Sequence, residues 1–592
     1  MSAVAEFPRR FVAPEADFGS WAGVESYYRA LVDRPIADAA EFERWLLDWS
    51  ELDSAFEEEG TSRQIAMTCA TDDPEREKRF LEFVESVRPH REPVHHALRQ
   101  KLVATADRIP LPAKRYEVLL RSMRNSIEIF RDENIPLQVE DAKLAQLYQK
   151  TTGAMTVEIQ GEELTIQQAA KFVEEPDRAL REEAWRLISN RYLADSATLD
   201  DIYAQMVAVR HQMALNTGLK DYREYAFKAM ERFDYTPEDC LAFHDAIEKV
   251  VVPAATALAN ERRRKLGVET LRPWDMAVDP DGRKPLRPFD KVDRLIDGSS
   301  RIFHKVSGDL GAIFDTLRDR RSLDLDSRKG KAPGGYQANY DEKRLPFIFM
   351  NAVGTESDVR TLLHEGGHAF HTWSCRNDPL LPYRHYPTEF AEVASMGMEC
   401  LSLPHLEEFY AGDVNRARKR FFAEIINFLP YMAMVDALQH QVYTSIDALA
   451  PARPGEPPKL TTPNTRLERW KDDWQRLRRR FQPWVNMTDL ESDDRHSWHR
   501  KLHFFEVPFY YVEYGIAQLG ALQVWLNAGC PGSRGVDRAK YEQAVAEYRN
   551  GLALGGSRPL PELFAAAGLK FDFSEKTLRP LVDAVMEEIG RL

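Results

Sequence analysis

Residues 358–373, DVRTLLHEGGHAFHTW, constrain this chain more than any other stretch. They contain His364-Glu365-Gly366-Gly367-His368, an H-E-x-x-H. In a helix, side chains four residues apart leave the same face. His364 and His368 can therefore close on one metal ion, with Glu365 beside them in reach of a metal-bound water. The flanks predict that helix. Thr355-Glu356-Ser357-Asp358 reads as a capping box, and Val359, Leu362, Leu363, Phe370 and Trp373 recur at helical spacing. Three ionisable groups in so apolar a helix are costly to bury without a partner. Two adjacent glycines cost about 1 kcal/mol each inside a helix, which predicts that another segment approaches the backbone there. The opposing reading is a helix that carries two histidines and a glutamate and binds nothing.

A catalytic zinc held by two histidines needs a third protein ligand and keeps one position open. PTEFAEVASMGMECL, from Pro387, supplies candidates on one side of a predicted helix: Glu389, Glu392 and Glu399. Glu392 is the first choice as metal ligand and Glu389 the second. Glu399, two turns beyond Glu392, is suited to accept a hydrogen bond from a ligand histidine and fix its tautomer. Two imidazoles and one carboxylate suit zinc, though cobalt or manganese could take the same set.

A third segment carries His503 and, after Pro508, Tyr510, Tyr511 and Tyr514 in a predicted helix. Amide hydrolysis puts negative charge on the former carbonyl oxygen, and preorganised hydroxyls stabilise it. Tyr511 and Tyr514, three apart, can face one point; the bland alternative is aromatic packing. Before the motif, Pro346 to Asn351 reads as a short strand, preceded by a loop with Gly334, Gly335, Tyr336 and Asn339. The strand Phe347 to Asn351 could pair with an extended peptide, or belong to an ordinary hairpin.

Elsewhere the pattern is helical: from about Val24 to Arg108, then Tyr116 to Phe130, and again after residue 166. Thr156 to Ile166, with a central glycine, reads as a small hairpin. RPWDMAVDPDGRKPLRP and the stretch with Pro451, Pro454, Pro457 and Pro458 read as irregular loops. A soft boundary near residue 190 divides an N-terminal helical domain, 1–190, from a catalytic domain, 191–592. The net charge of −14 argues against nucleic acid as a partner. Neither a run of 18 apolar residues nor the apolar core of a signal peptide is present, so no membrane partner is expected. Five cysteines, Cys69, Cys240, Cys375, Cys400 and Cys530, form no C-x-x-C. That argues against a disulfide framework or a cysteine zinc site and fits a reducing, cytoplasmic compartment.

HEGGHAFH followed by FAEVASMGME resembles the thimet oligopeptidase and oligoendopeptidase F family of zinc metallopeptidases, the oligoendopeptidase F branch above all. GKAPGGYQANYDEKRLPFIFMN, RPWD and HFFEVPFYYVEYGIAQLG resemble further family segments. The resemblance covers roughly residues 200–580, and the N-terminal third only as a helical cap-like region. It implies a mainly α, two-lobed, gluzincin-type fold with a small β element beside the H-E-x-x-H helix and a deep channel that excludes folded proteins. It implies one zinc per chain on His364, His368 and Glu392, a Glu365-activated zinc-bound water, and His503, Tyr511 and Tyr514 facing substrate and oxyanion. The spacing from His503 to the tyrosines is about one residue shorter than in the thimet branch, so the choice among Tyr510, Tyr511 and Tyr514 stays open. The implied activity is endopeptidase cleavage of short oligopeptides. The alternatives are a zinc carboxypeptidase of similar helical fold, whose motif HEGGHA also resembles, and a silent peptide-binding homologue.

Overall fold

The computed structural model describes residues 7–328, 330–332, 334–450, 456–529 and 535–592. Cys530, Pro451 and Pro454 lie outside the described residues, as do the first six residues of the expected N-terminal arm. The chain is mainly helical, as its spacing predicts, and strands occupy two small sheets.

The N-terminal helices include Trp21–Asp33, Ala39–Cys69, Arg88–Arg108 and Ala113–Ile129. Polar caps start the first two. Ser20 accepts from the Gly23 amide, and Asp38 from Ala40 and Glu41. Pro110 and Pro112 fall in the break before Ala113, where a proline blocks helix continuation. These helices bury Phe42, Trp45, Trp49, Phe56, Leu98 and Tyr116 in a core of their own. Leu380 and Tyr383, from the turn after the motif helix, insert into that core and tie it to the rest of the chain. A second, larger core runs from Leu144 to Ile589.

β1 (Thr156–Ile159) and β2 (Glu162–Thr165) form the expected antiparallel hairpin. Its two turn residues, Gln160 at φ 57° and Gly161 at φ 82°, both have the left-handed backbone that a tight hairpin needs. β3 (Leu323–Asp326), β4 (Tyr336–Tyr340) and β5 (Leu345–Ala352) form a second sheet in the order β3-β5-β4. β3 runs parallel to β5 and β4 antiparallel to it. The period of two is plain in β5. Phe347 and Phe349 face Ile65 of the N-terminal helix Ala39–Cys69, while Ile348 and Met350 enter the large core.

One expectation is corrected here. Phe347 to Asn351 cannot pair with a peptide, because β5 is the central strand and both its edges are occupied. The strand with an outer edge on that side is β4.

Helix Val414–Thr444 crosses the large core and buries Phe422, Ile426, Leu429, Met432 and Val435 among others. By length and composition, the segment Glu407–Thr444 could cross a membrane, but 72% of its apolar window is packed inside the protein. That burial makes it a core helix.

Candidate functional site

The predicted capping box forms. Thr355 accepts from the Asp358 amide, and Asp358 accepts from the amides of Thr355 and Val353. It starts helix Glu356–Cys375 directly behind β5. His364 and His368 then leave one face of that helix, their ring centroids 4.9 Å apart.

The double glycine sets how closely a second helix, Thr388–Ser402, can approach. A Cβ on Gly367 would lie 2.5 Å from Ala394 O and 2.5 Å from Ser395 Cα. A Cβ on Gly366 would lie 2.6 Å from the Phe303 ring. The neighbour predicted from the glycines is therefore the backbone of the carboxylate-bearing helix on one side and Phe303 on the other.

That approach delivers Glu392. Its Oε2 lies 3.3 Å from His364 Nε2 and 3.8 Å from His368 Nε2. One donor atom from each of the three residues lies within 4.8 Å of the others. Each is also held from outside. His364 Nδ1 lies 2.7 Å from Glu399 Oε1. His368 shares a hydrogen bond with the Ala391 backbone. Glu392 accepts from Tyr510 Oη at 2.9 Å and from Ser395 Oγ at 3.0 Å. Two imidazoles and a buried carboxylate, each oriented by a further partner, fit a divalent cation that takes nitrogen and oxygen donors.

Electrostatics separate the carboxylates. Burial opposes charge on Glu392, yet the His364 hydrogen bond and the two histidine charges bring it down to about 2. Burial instead pushes Glu365 up to about 7; His364 opposes this and the Glu392 and Glu399 charges add to it. Glu365 Oε2 is buried without a hydrogen-bond partner. A carboxyl near 7 can both take up and release a proton at neutral pH.

Glu389, the second choice as ligand, is not brought to the histidines: it accepts from Tyr235 Oη at 2.7 Å. It lies in the first turn of its helix, where the side chain is directed to a different neighbour.

The tyrosine segment arrives on helix Tyr511–Asn527. Tyr510, at its N-cap, reaches Glu392. Tyr511 does not: its hydroxyl accepts from Lys501 Nζ at 3.1 Å, and its ring packs on Phe428 and Tyr431. The Tyr514 ring lies 5.1 Å from that of Tyr510 and 5.6 Å from that of Tyr511, so all three tyrosines of the segment gather here, with Tyr510 bonded to Glu392. His503 lies beside them, 5.9 Å from the Tyr514 ring, with Nδ1 unpartnered. Burial holds its pKa down at about 3, so the imidazole is neutral.

The aim of Tyr510 depends on a turn that sequence reasoning missed. Phe509 has φ 68°, which costs a bulky residue about 1–3 kcal/mol. Its amide donates to Gln439 Oε1 at 2.6 Å, and its carbonyl accepts from Arg232 at 2.6 Å. Arg232 also pairs with Glu513 at 2.8 Å, both side chains buried. A cavity of 520 Å³ lies beside this site rather than over it, between Trp49 and His95 of the N-terminal helices and Tyr235, Tyr386 and Glu389.

Residues 172–582 match the model of peptidase family M3, and residues 19–130 match the peptidase M3 N-terminal domain. Group B oligopeptidase PepB of Streptococcus agalactiae serotype III (strain NEM316) is 24% identical over 262 residues, 43% of this chain and 41% of that protein. The chain thus spans about two fifths of the length of the curated relatives first matched. Solved structures align over nearly the whole length. A protein provisionally assigned as oligoendopeptidase F has TM-score 0.87 and 26% identity, covering 99% of each chain. PZ peptidase A with an inhibitor has TM-score 0.86 and 25% identity, covering 98% of this chain and 99% of that one.

Proposed function

The chain belongs to peptidase family M3, and on that premise we propose that it is a zinc-dependent endopeptidase that hydrolyses internal bonds of short oligopeptides. The observation that carries this reading is the convergence of His364, His368 and Glu392 within 4.8 Å, with Glu365 buried beside them. Held by those three side chains, zinc supplies a Lewis acid that lowers the pKa of a water and polarises a carbonyl.

Glu365 accepts a proton from the attacking water and passes it to the leaving amine. Tyr514 and neutral His503 offer donors to the oxygen that gains charge in the tetrahedral intermediate, while Tyr510 commits its single O–H to Glu392. Tyr511 supports them from behind through Lys501 and the Phe428 and Tyr431 rings. The outer edge of β4 can take up an extended peptide by backbone hydrogen bonds, which gives loose side-chain preference.

In this reading residues 1–190 form the helical N-terminal domain and 191–592 the catalytic domain. The large core begins earlier, at Leu144, so the two share an interface rather than a linker. The four described cysteines are unpaired, which fits a cytoplasmic setting.

The test is a peptide blocked at both ends. Internal cleavage, abolished by a chelator and reduced about 10²–10⁴-fold by Glu365→Gln without loss of metal, supports the reading. Cleavage that survives both treatments overturns the zinc mechanism; absence of any internal cut favours a carboxypeptidase.

A further inference from the structure

Cys240 and His244 lie four apart on helix Pro237–Leu266, and Asp436 and His440 lie four apart on helix Val414–Thr444. Residues four apart share a helix face, and these helices pack against each other. The two pairs therefore meet in the core, in a cluster that shares no residue with the His364–Glu392 site. All four side chains are buried. Cys240 Sγ, a carboxylate oxygen of Asp436 and a ring nitrogen of His440 lie within 4.8 Å of one another. His244 Nε2 lies 2.9 Å, and His440 Nε2 3.2 Å, from the same oxygen, Asp436 Oδ2.

The remaining atoms of the cluster are the informative ones. Asp436 Oδ1, His244 Nδ1 and His440 Nδ1 are all buried without a partner. A neutral imidazole that donates from Nε2 leaves a bare lone pair on Nδ1. Three lone-pair atoms with no donor therefore stand beside a thiol in the buried core, and each such buried acceptor is destabilising. An electron-pair acceptor held by Cys240, Asp436 and His440 would take up lone pairs of this cluster and leave His244 bonded to Asp436.

We propose that Cys240, Asp436 and His440 form a second metal site, buried and non-catalytic, with His244 held against Asp436 as the fourth member of the cluster. One thiolate, one imidazole and one carboxylate select a borderline divalent cation such as zinc or cobalt over magnesium or calcium. On binding, the Cys240 thiol releases its proton to solvent and Sγ donates an electron pair to the cation. The site has a structural use. Gln439, between Asp436 and His440 in sequence, accepts the Phe509 amide, and the His440 ring packs edge-on against Phe509 with centroids 5.3 Å apart. A cation here would brace the strained turn from which Tyr510 extends.

The experiment uses the intact chain. Elemental analysis should find two equivalents of divalent metal per chain, one of which resists dialysis against a chelator. Protein produced with cobalt in place of zinc should show a thiolate-to-cobalt charge-transfer band. His364, His368 and Glu392 offer no sulfur, so the band reports the buried site alone. Cys240→Ser should remove the band and one equivalent, whereas the double variant His364→Ala/His368→Ala should keep the band and exactly the chelator-resistant equivalent. A single equivalent fully removed by chelator, or a cobalt protein without the band, overturns the proposal. If circular dichroism finds Cys240→Ser unfolded, the double variant still decides. Neither outcome depends on peptidase activity, so failure of the catalytic reading is distinguishable from failure of this one.

Discussion

The hydroxyl of Tyr510 donates a 2.9 Å hydrogen bond to Glu392, the carboxylate that stands between His364 and His368. Its neighbour Tyr511 is engaged with Lys501 instead. Two adjacent tyrosines at one helix start therefore have separate tasks, and conservative variants should separate them. Tyr510→Phe leaves Glu392 short of a donor, and loss of such an outer partner lowers metal affinity or activity about 10–100-fold. Tyr511→Phe keeps its packing and should leave both near wild type. Tyr514→Phe should keep metal affinity and lower kcat by about 10²–10³-fold, the usual cost of one oxyanion donor. Competition titration against a chromophoric chelator, with kcat and KM on one peptide, reads all three. Equal losses in Tyr510→Phe and Tyr511→Phe would refute the division.

Glu399 gives a second test. Its Oε1 lies 2.7 Å from His364 Nδ1, and Arg360 stands 4.0 Å from the other oxygen. The carboxylate fixes the tautomer that leaves His364 Nε2 free to bind metal. Glu399→Gln keeps the shape and removes the charge, and should weaken metal binding about 10–100-fold. Saturating metal should restore most of the activity, because Glu399 acts through His364 Nδ1. Activity that stays low at saturating metal would give Glu399 a different role.

How much of this was legible in the chain depends on how local each cause is. The capping box, the helix spacing of Val359 to Trp373 and the Gln160-Gly161 turn are set by near neighbours, and all three were readable. Glu392 and Glu399 were readable as carboxylates that needed partners, and the double glycine as a place of close approach. Glu389 was not separable from Glu392 by spacing alone, because Tyr235, which holds it, lies 154 residues away. The central place of β5 depends on parallel pairing with the short, polar LDLD of β3, which carries little signal of its own. The left-handed Phe509 is imposed by Gln439 and by Arg232, the latter 277 residues distant. The cluster of Cys240, His244, Asp436 and His440 was hidden for the same reason. Each pair is an ordinary i, i+4 spacing, and the absence of C-x-x-C argued against a cysteine site.

The two glycines of the motif should respond differently to alanine. Gly367→Ala drives a Cβ into the backbone of Ala394 and Ser395, which cannot yield without moving Glu392 away from the histidines. Overpacking of this kind costs about 1–3 kcal/mol, and here metal affinity should fall with it. Gly366→Ala meets only the Phe303 ring, so a smaller residue at 303 gives the new methyl somewhere to go. A double-mutant cycle with Phe303→Leu should show favourable coupling of about 0.5–3 kcal/mol for Gly366→Ala and none for Gly367→Ala. Thermal unfolding and metal titration on the six proteins measure it. Equal coupling at both positions would mean that the helix approach is not what the second glycine serves.

The clamp on Phe509 makes the last prediction. Arg232 satisfies the Phe509 carbonyl and the buried Glu513 together. Arg232→Met removes both bonds and leaves Glu513 as an unpaired buried acid, and breaking one side of a buried pair costs about 3–5 kcal/mol. Glu513→Gln keeps an acceptor for Arg232 and should cost less. Gln439→Leu takes only the acceptor of the Phe509 amide, a loss of about 1–3 kcal/mol for an unsatisfied buried group. Without that hydrogen bond the turn can relax from its left-handed backbone, and Tyr510 with it. Gln439→Leu should therefore fold, lose a few degrees in Tm, and show a larger fall in kcat than rise in KM. Gln439→Glu, which keeps an acceptor at the same position, should recover kcat more than it recovers Tm. A Gln439→Leu protein with unchanged kcat would show that Tyr510 holds its aim without the clamp, because packing of Phe509 against His440 and Tyr443 is then enough to fix the turn.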